Sequence, residues 1–153
     1  MAMMDEDYFL NKARQYCSIQ ERCLHDVAEK LREWKVNPAK AEAIVESLVS
    51  EDYLNEERFA RLFAGGKFRI NHWGKNKIIF ELKKKKVPEL IIQIGLGEID
   101  DEEYLGTLKE LLAKKSREIH ESHPLKRKKK LTDFALQRGF HFSIVQKAIA
   151  EIG

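Results

Sequence analysis

The stretch Y-L-N-E-E-R-F-A-R-L-F-A-G-G-K-F-R-I-N-H-W-G-K-N-K-I-I-F-E-L-K-K-K-K-V, from Tyr53 to Val87, decides the fold. Its apolar residues recur at helical spacing on either side of a Trp73-Gly74 corner. Leu54, Phe59, Leu62 and Phe63 share one face before the corner, and Ile78, Ile79 and Leu82 share one after it. Pro88 suits the first position of a third helix, which then carries Val87, Ile91, Ile92, Gly95 and Leu96 on one side. The stretch and its continuation therefore read as one three-helix unit.

Working outward, the same unit recurs. The openings D-E-D-Y-F, S-E-D-Y-L and D-E-E-Y-L place Tyr8, Tyr53 and Tyr104 after acidic residues, which favour a helix N-terminus through the macrodipole. Val27, Leu31 and Val36 match Ile78, Leu82 and Val87 in spacing, and Leu131, Ala135 and Phe140 match them again. The third helices agree too, with Val87, Ile91, Ile92, Gly95, Leu96 and Ile99 corresponding to Phe140, Ile144, Val145, Ala148, Ile149 and Ile152. A period of roughly 50 residues signals an array of supersecondary units. The pattern predicts an all-α fold, an elongated, right-handed or curved array of three tandem three-helix repeats over 1–52, 53–98 and 99–153.

Local signals place the helices of the outer repeats. Ser18 and Glu21 have capping-box spacing ahead of a stripe of Leu24, Val27, Ala28, Leu31 and Trp34. Asn37-Pro38 opens a helix carrying Ala41, Ile44, Val45 and Leu48. In the third repeat a long helix runs from about Asp101 to His120, and a second carries Leu131, Phe134 and Ala135. Gly139 then supplies a positive-φ helix end before Phe140. Gly65-Gly66 inside a helical pattern marks a kink or a close approach.

Composition excludes several classes. With 43% hydrophobic and 35% charged residues, the 153-residue chain can bury a core and keep a solvated surface. No apolar run is long enough for a membrane span, and M-A-M-M-D-E-D lacks the features of a secretory signal, so a cytosolic protein without membrane contact is expected. Cys17 and Cys23 read as reduced residues, and with His25 they lack a fourth ligand and a zinc spacing. There is no phosphate loop, no HExxH and no GxSxG, and His72 has no carboxylate or nucleophile set beside it in sequence. Neither enzymatic activity nor a cofactor is expected.

Charge is unevenly spread although the net value is +3. Residues 1–52 hold seven basic and eleven acidic side chains, 53–98 ten and five, and 99–153 eleven and nine. Two basic runs stand out. Lys83, Lys84, Lys85 and Lys86 end a helix, where cations complement the dipole. Lys126, Arg127, Lys128, Lys129 and Lys130 begin one, where five cations oppose it, so an acidic partner such as nucleic acid or an acidic protein face is expected to compensate them.

Leu54-Asn55-Glu56-Glu57-Arg58-Phe59-Ala60, then Trp73-Gly74, Lys77-Ile78, Glu81-Leu82 and Val87, together with Leu136-Gln137-Arg138-Gly139-Phe140 and Ile144, resemble the RecX regulatory proteins, bacterial modulators of the RecA recombinase. The resemblance spans nearly the whole chain. It implies a noncatalytic, monomeric protein that lies along the RecA–DNA filament and limits filament growth, ATP hydrolysis and strand exchange, with single- or double-stranded DNA as a further partner. On this reading Arg58, Phe59, Trp73, Gly74, Ile78, Glu81, Leu82, Val87, Gly139 and Phe140 are structural motif residues, with Arg58 and Glu81 as ion-pair partners. The expected partner-binding residues are Lys75, Lys77, Lys83, Lys84, Lys85, Lys86, Lys126, Arg127, Lys128, Lys129, Lys130 and Arg138. The rival readings are a stand-alone helical DNA-binding module, disfavoured by the lack of Asn, Gln and Arg base readers beside the lysines, and a helical protein-interaction scaffold.

Overall fold

A computed structural model describes residues 2–153, with side chains from Asp7 onward. Among the described residues every regular element is a helix. These are α1 (Ala2–Ile19), α2 (Leu24–Glu33), α3 (Pro38–Ser50), α4 (Glu56–Asn71), α5 (Lys75–Lys84), α6 (Glu89–Leu96), α7 (Asp101–Glu118), α8 (Pro124–Gln137) and α9 (Phe142–Ile152). The fold is an all-α helical repeat. Its chain divides into two compact units, one built from Met1–Leu62 and Leu82–Gly95, the other from Phe63–Glu81 and Leu96–Gly153. The dividing line passes through α4 and α5, so compactness partitions the chain differently from sequence periodicity.

A shared turn underlies the recurrent spacing. The Val36 N–H donates to the Leu31 carbonyl (3.0 Å), that of Val87 to Leu82 (3.2 Å) and that of Phe140 to Ala135 (3.1 Å). The residue before each donor has a left-handed backbone: Lys35 at φ 62°, Lys86 at φ 61° and Gly139 at φ 98°. This is the Schellman termination, which satisfies the last helical carbonyls and folds an apolar residue back onto the helix it ends. Leu31, Leu82 and Ala135 are buried, as are Val87 and Phe140, so the five-residue spacing records both a backbone turn and a core contact.

In the first unit, Ala13, Cys17, Val27, Leu31, Ile44, Leu48 and Leu54 form a buried cluster, with Phe9, Tyr16, Trp34 and Val45 packed on it. Asn37 caps α3 as expected, its side-chain oxygen accepting from the Ala39 N–H (2.9 Å). The Ser18–Glu21 capping box is not formed. Helix α1 continues to Ile19, and the Ser18 hydroxyl donates back to the Arg14 carbonyl (2.8 Å). Cys23 caps α2 instead: its sulfur accepts from the Asp26 N–H (3.4 Å) while the Asp26 carboxylate accepts from the Cys23 N–H (3.5 Å). Glu21 is thereby freed to pair with Arg58 at 2.6 Å, and Arg58 also reaches Asp52 at 3.2 Å. Burial pushes the Cys23 thiol up to about 12, which keeps it in the neutral form.

Helical phase also differs in places. Leu62, Leu24 and Ala28 are exposed, while Ala60 and Ala64 are buried. Small residues take the inward positions of α4 because another helix comes close. A Cβ on Gly95 of α6 would lie 2.7 Å from the Ala60 carbonyl oxygen. Helix α4 is assigned as one helix through Gly65 and Gly66. A Cβ on Gly65 would meet the far end of the Arg69 side chain at 2.9 Å and the Glu98 Cβ at 3.9 Å, and one on Gly66 would meet nothing within 4 Å.

In the second unit, Phe68, Tyr104 and Phe140 form an aromatic core, with ring centroids 5.6 Å and 5.1 Å apart. Leu108, Leu112, Leu131, Val145 and Ala148 are buried in the same unit. The Tyr104 hydroxyl accepts from the Lys75 N–H (2.9 Å), which ties the start of α5 to this core. Burial raises the phenol to about 12.

Candidate functional site

The second unit joins its two signature turns directly. The Gly74 N–H donates to the Arg138 carbonyl (2.7 Å), and the Asn76 N–H donates to the Gly139 carbonyl (2.9 Å). Gly74 stands so close to the Gly139–Phe140 peptide that a Cβ would enter its backbone. A Cβ on Gly139 would fall 2.5 Å from that of Lys77. Only glycine permits this approach, and Gly139 also adopts its positive φ without strain. The Trp-Gly corner and the Arg-Gly-Phe turn are therefore two halves of one clasp.

Cations gather around the clasp on aromatic rings. The Lys77 ammonium lies 4.6 Å from the Trp73 ring centroid and that of Lys67 lies 5.0 Å from it, with Lys67 also 5.5 Å from Phe63. Phe63 meets Trp73 edge-on at 6.4 Å. The Arg138 guanidinium lies 5.4 Å from the Phe134 centroid and donates to the Asn71 carbonyl (3.1 Å), while Lys115 sits 5.2 Å from Phe134. Among the described residues none of Lys67, Lys77, Lys115 and Arg138 has a carboxylate within 4 Å. A ring holds such a cation in place without neutralising it, so its field stays available to an anion.

The remaining expected residues differ in their contacts and exposure. Lys75 is 3.4 Å from Asp101 and 4.7 Å from the Tyr104 centroid, with 22% of its side chain exposed. In the first unit Lys83 pairs with Glu89 at 3.5 Å, and Lys84 and Lys86 are exposed. In the second run Lys129 pairs with Asp133 at 2.8 Å and Lys130 lies 3.8 Å from Glu121. Lys126 and Lys128 are exposed and have no ion-pair partner among the described residues.

Two more of the expected residues have partners within the protein. Lys85 turns inward, its ammonium 2.9 Å from Asp26 and 6.0 Å from the Phe59 centroid. Arg127 donates to the Ile119 carbonyl (3.1 Å), the Glu121 carbonyl (3.3 Å), the Ser116 hydroxyl (2.6 Å) and the Ser116 carbonyl. It therefore meets the negative end of α7, which accounts for one cation at the start of α8 without any partner. Arg127→Met is expected to destabilise the protein by about 1–3 kcal/mol, because several acceptors lose their donor at once. Urea denaturation measures this, and an unchanged midpoint would show that water replaces the guanidinium.

Lys85 and Asp26 also set a pH response. Burial alone would raise the Asp26 carboxyl, but hydrogen bonds from Lys85 and Cys23 outweigh it and hold the group below its ordinary value. A folded value below the unfolded one stabilises the fold at pH values above the unfolded pKa of about 3.9 and loses that contribution as pH falls through the folded value. Asp26→Asn should remove this part of the acid sensitivity, as read by denaturant midpoints between pH 3 and pH 7; an unchanged slope would locate the sensitivity elsewhere.

The sequence pointed to Lys77 and Arg138 as candidates but not to Lys67, Lys115 or the Phe134 ring beneath Lys115 and Arg138. A local signal existed. Phe63/Lys67 and Phe134/Arg138 are each an aromatic followed four residues later by a cation, a spacing that meets on a helix face, and Trp73/Lys77 has the same spacing from the corner into α5. Lys115 gave no such signal, since it reaches Phe134 across two helices. No described helix is long and apolar enough to cross a membrane, and no group of three or more described His, Cys, Asp or Glu side chains could hold a metal.

Comparison with known proteins follows the same geometry. Residues 55–96 match the family description "RecX, second three-helix domain", and residues 101–149 match "RecX, third three-helix domain". The chain is 31% identical over 154 residues to the regulatory protein RecX of Clostridium acetobutylicum, covering 97% of this chain and 71% of that protein. It is 30% identical over 141 residues to that of Bacillus cytotoxicus, covering 92% of this chain and 52% of the relative. A match to the Lactobacillus johnsonii protein, 34% identical over 100 residues, covers 65% of this chain and 37% of the relative, so the chain spans about half or less of these last two proteins. The crystal structure of RecX from Lactobacillus salivarius superposes with a TM-score of 0.91 at 22% identity, over 98% of this chain and 97% of that one, a likeness of fold.

Proposed function

The chain belongs to the RecX family of regulatory proteins, and from that premise we propose that it is a noncatalytic cytoplasmic protein that binds the RecA–DNA filament and restrains its growth and ATP hydrolysis. The observation that carries this reading is the set of four carboxylate-free cations, Lys67, Lys77, Lys115 and Arg138, held on Trp73 and Phe134 around the glycine clasp. A nucleoprotein filament offers DNA phosphates and acidic protein side chains, and either neutralises such cations. Lys126 and Lys128 offer a further exposed pair on α8. Contacts that are individually weak act together on a polymer, because the first raises the effective concentration for the next. The protein binds as a monomer and uses no cofactor in this scheme.

The test is ATP hydrolysis by the cognate recombinase on single-stranded DNA during titration with this protein. Inhibition at well below one molecule per recombinase subunit is the expected result. No inhibition by folded protein overturns the reading. Tight binding to naked DNA would then point to an independent DNA-binding module, and indifference to both DNA and salt to a protein scaffold.

A further inference from the structure

Of the two carboxylate-free cation groups beside the clasp, the one on Trp73 has the more specific chemistry. Two ammonium groups, Lys67 at 5.0 Å and Lys77 at 4.6 Å, share one indole that is only partly buried, and Phe63 supports the indole edge-on. The indole stands at the end of α4, where His72 turns the chain at φ 56°, and the clasp at Gly74 fixes the position that follows it. We propose that Trp73 is a stacking platform for one unpaired nucleobase of single-stranded DNA, with Lys67 and Lys77 taking the flanking phosphates. This rests on the filament reading above and names the ligand of the same face.

Magnitudes favour the exchange. A lysine over an exposed ring contributes only a few-fold to an equilibrium, whereas a base stacked on an aromatic side chain contributes roughly 5- to 150-fold to affinity. An arriving base therefore displaces the ammonium groups from the ring, and the displaced ammonium groups bind phosphate without leaving the site. Duplex DNA keeps its bases stacked internally and presents only phosphates. An acidic peptide offers the lysines a partner but the ring no flat π-face. Single-stranded DNA alone among these satisfies both halves of the site.

The chain has two tryptophans, so Trp34→Phe leaves Trp73 as the only one. In that background the full chain is titrated with oligodeoxythymidylate of about 15 nucleotides, with its duplex, with polyphosphate and with polyglutamate, while indole emission is followed. The expected result is saturable quenching by the single strand, together with roughly tenfold weaker binding of a dye-labelled single strand, read by its fluorescence anisotropy, in Trp73→Leu and near-full affinity in Trp73→Phe. Circular dichroism establishes that both variants fold. Absence of quenching by the single strand, or equal quenching by duplex, polyphosphate or polyglutamate, overturns the proposal. Recombinase inhibition measured on the same samples is a separate readout. Inhibition that persists without quenching removes the stacking role alone, whereas loss of inhibition in the unmodified protein bears on the filament reading.

Discussion

Gly74→Ala is expected to be among the most damaging single substitutions in this chain, lowering stability by about 3 kcal/mol or more and the melting temperature by roughly 10 °C. The reason is geometric. The added methyl would enter the backbone of Gly139 and Phe140, and backbone cannot swing aside as a side-chain end can. Relief would require separating the Trp-Gly corner from the Arg-Gly-Phe turn. That breaks the bonds from the Gly74 N–H to Arg138 (2.7 Å) and from the Asn76 N–H to Gly139 (2.9 Å) and loosens the packing around Phe140, which is 1% exposed. Gly106→Ala is the control, because a Cβ there meets nothing within 4 Å and the position lies inside α7. It should be neutral or stabilising by up to about 1 kcal/mol, from helix propensity alone. Thermal and urea denaturation of both variants decide the matter. Equal stability of Gly74→Ala and the native chain would mean that the two turns are not clasped in solution.

The second large effect concerns binding. Replacing Lys67 and Lys77 together by glutamine should weaken inhibition of the recombinase by about tenfold near 50 mM salt and make the salt dependence shallower by roughly 1.4 in log–log slope, the release of about two counterions from a single strand. Stability should change little, since each cation–ring contact at an exposed site is worth about 0.5–1 kcal/mol and glutamine retains part of the stem. An unchanged salt slope with full inhibition would remove these lysines from the interface. A companion variant, Lys126→Ser with Lys128→Ser, tests the second run without touching Arg127. Replacing the whole run from Lys126 to Lys130 would confuse lost contact with a lost helix cap, because Arg127 donates to the Ser116 carbonyl of α7 and to the Ile119 carbonyl just beyond its end.

Much of this was legible in the chain itself. Leu31 to Val36, Leu82 to Val87 and Ala135 to Phe140 could be aligned because helical periodicity and helix ends are local properties, written within a few residues of one another. The capping box misled because Ser18, read alone, obeys the rule. What overrode it was the continuation of α1 through Ser18 to Ile19 and the pull of Arg58 on Glu21 at 2.6 Å, a contact between residues 37 apart in sequence. Leu62 is exposed against expectation, while Ala60 is buried, for a comparable reason. The approach of Gly95 rewards the small residue on that face of α4.

Charge was the least legible property. A run of lysines announces its sign in the sequence but not its partner. Lys85 and Lys83 are two residues apart, yet one turns inward to Asp26 and the other stands at the surface beside Glu89. By itself the sequence determined the helices, most of their ends, their recurrence and the family, because hydrophobic spacing, proline, glycine and capping residues act over one or two turns. Only the tertiary structure decided which glycines meet, which cations are neutralised and which rest on aromatic rings, because Coulomb attraction and close packing depend on distance in space, and the chain brings Gly74 to Gly139 and Lys115 to Phe134 only when it folds.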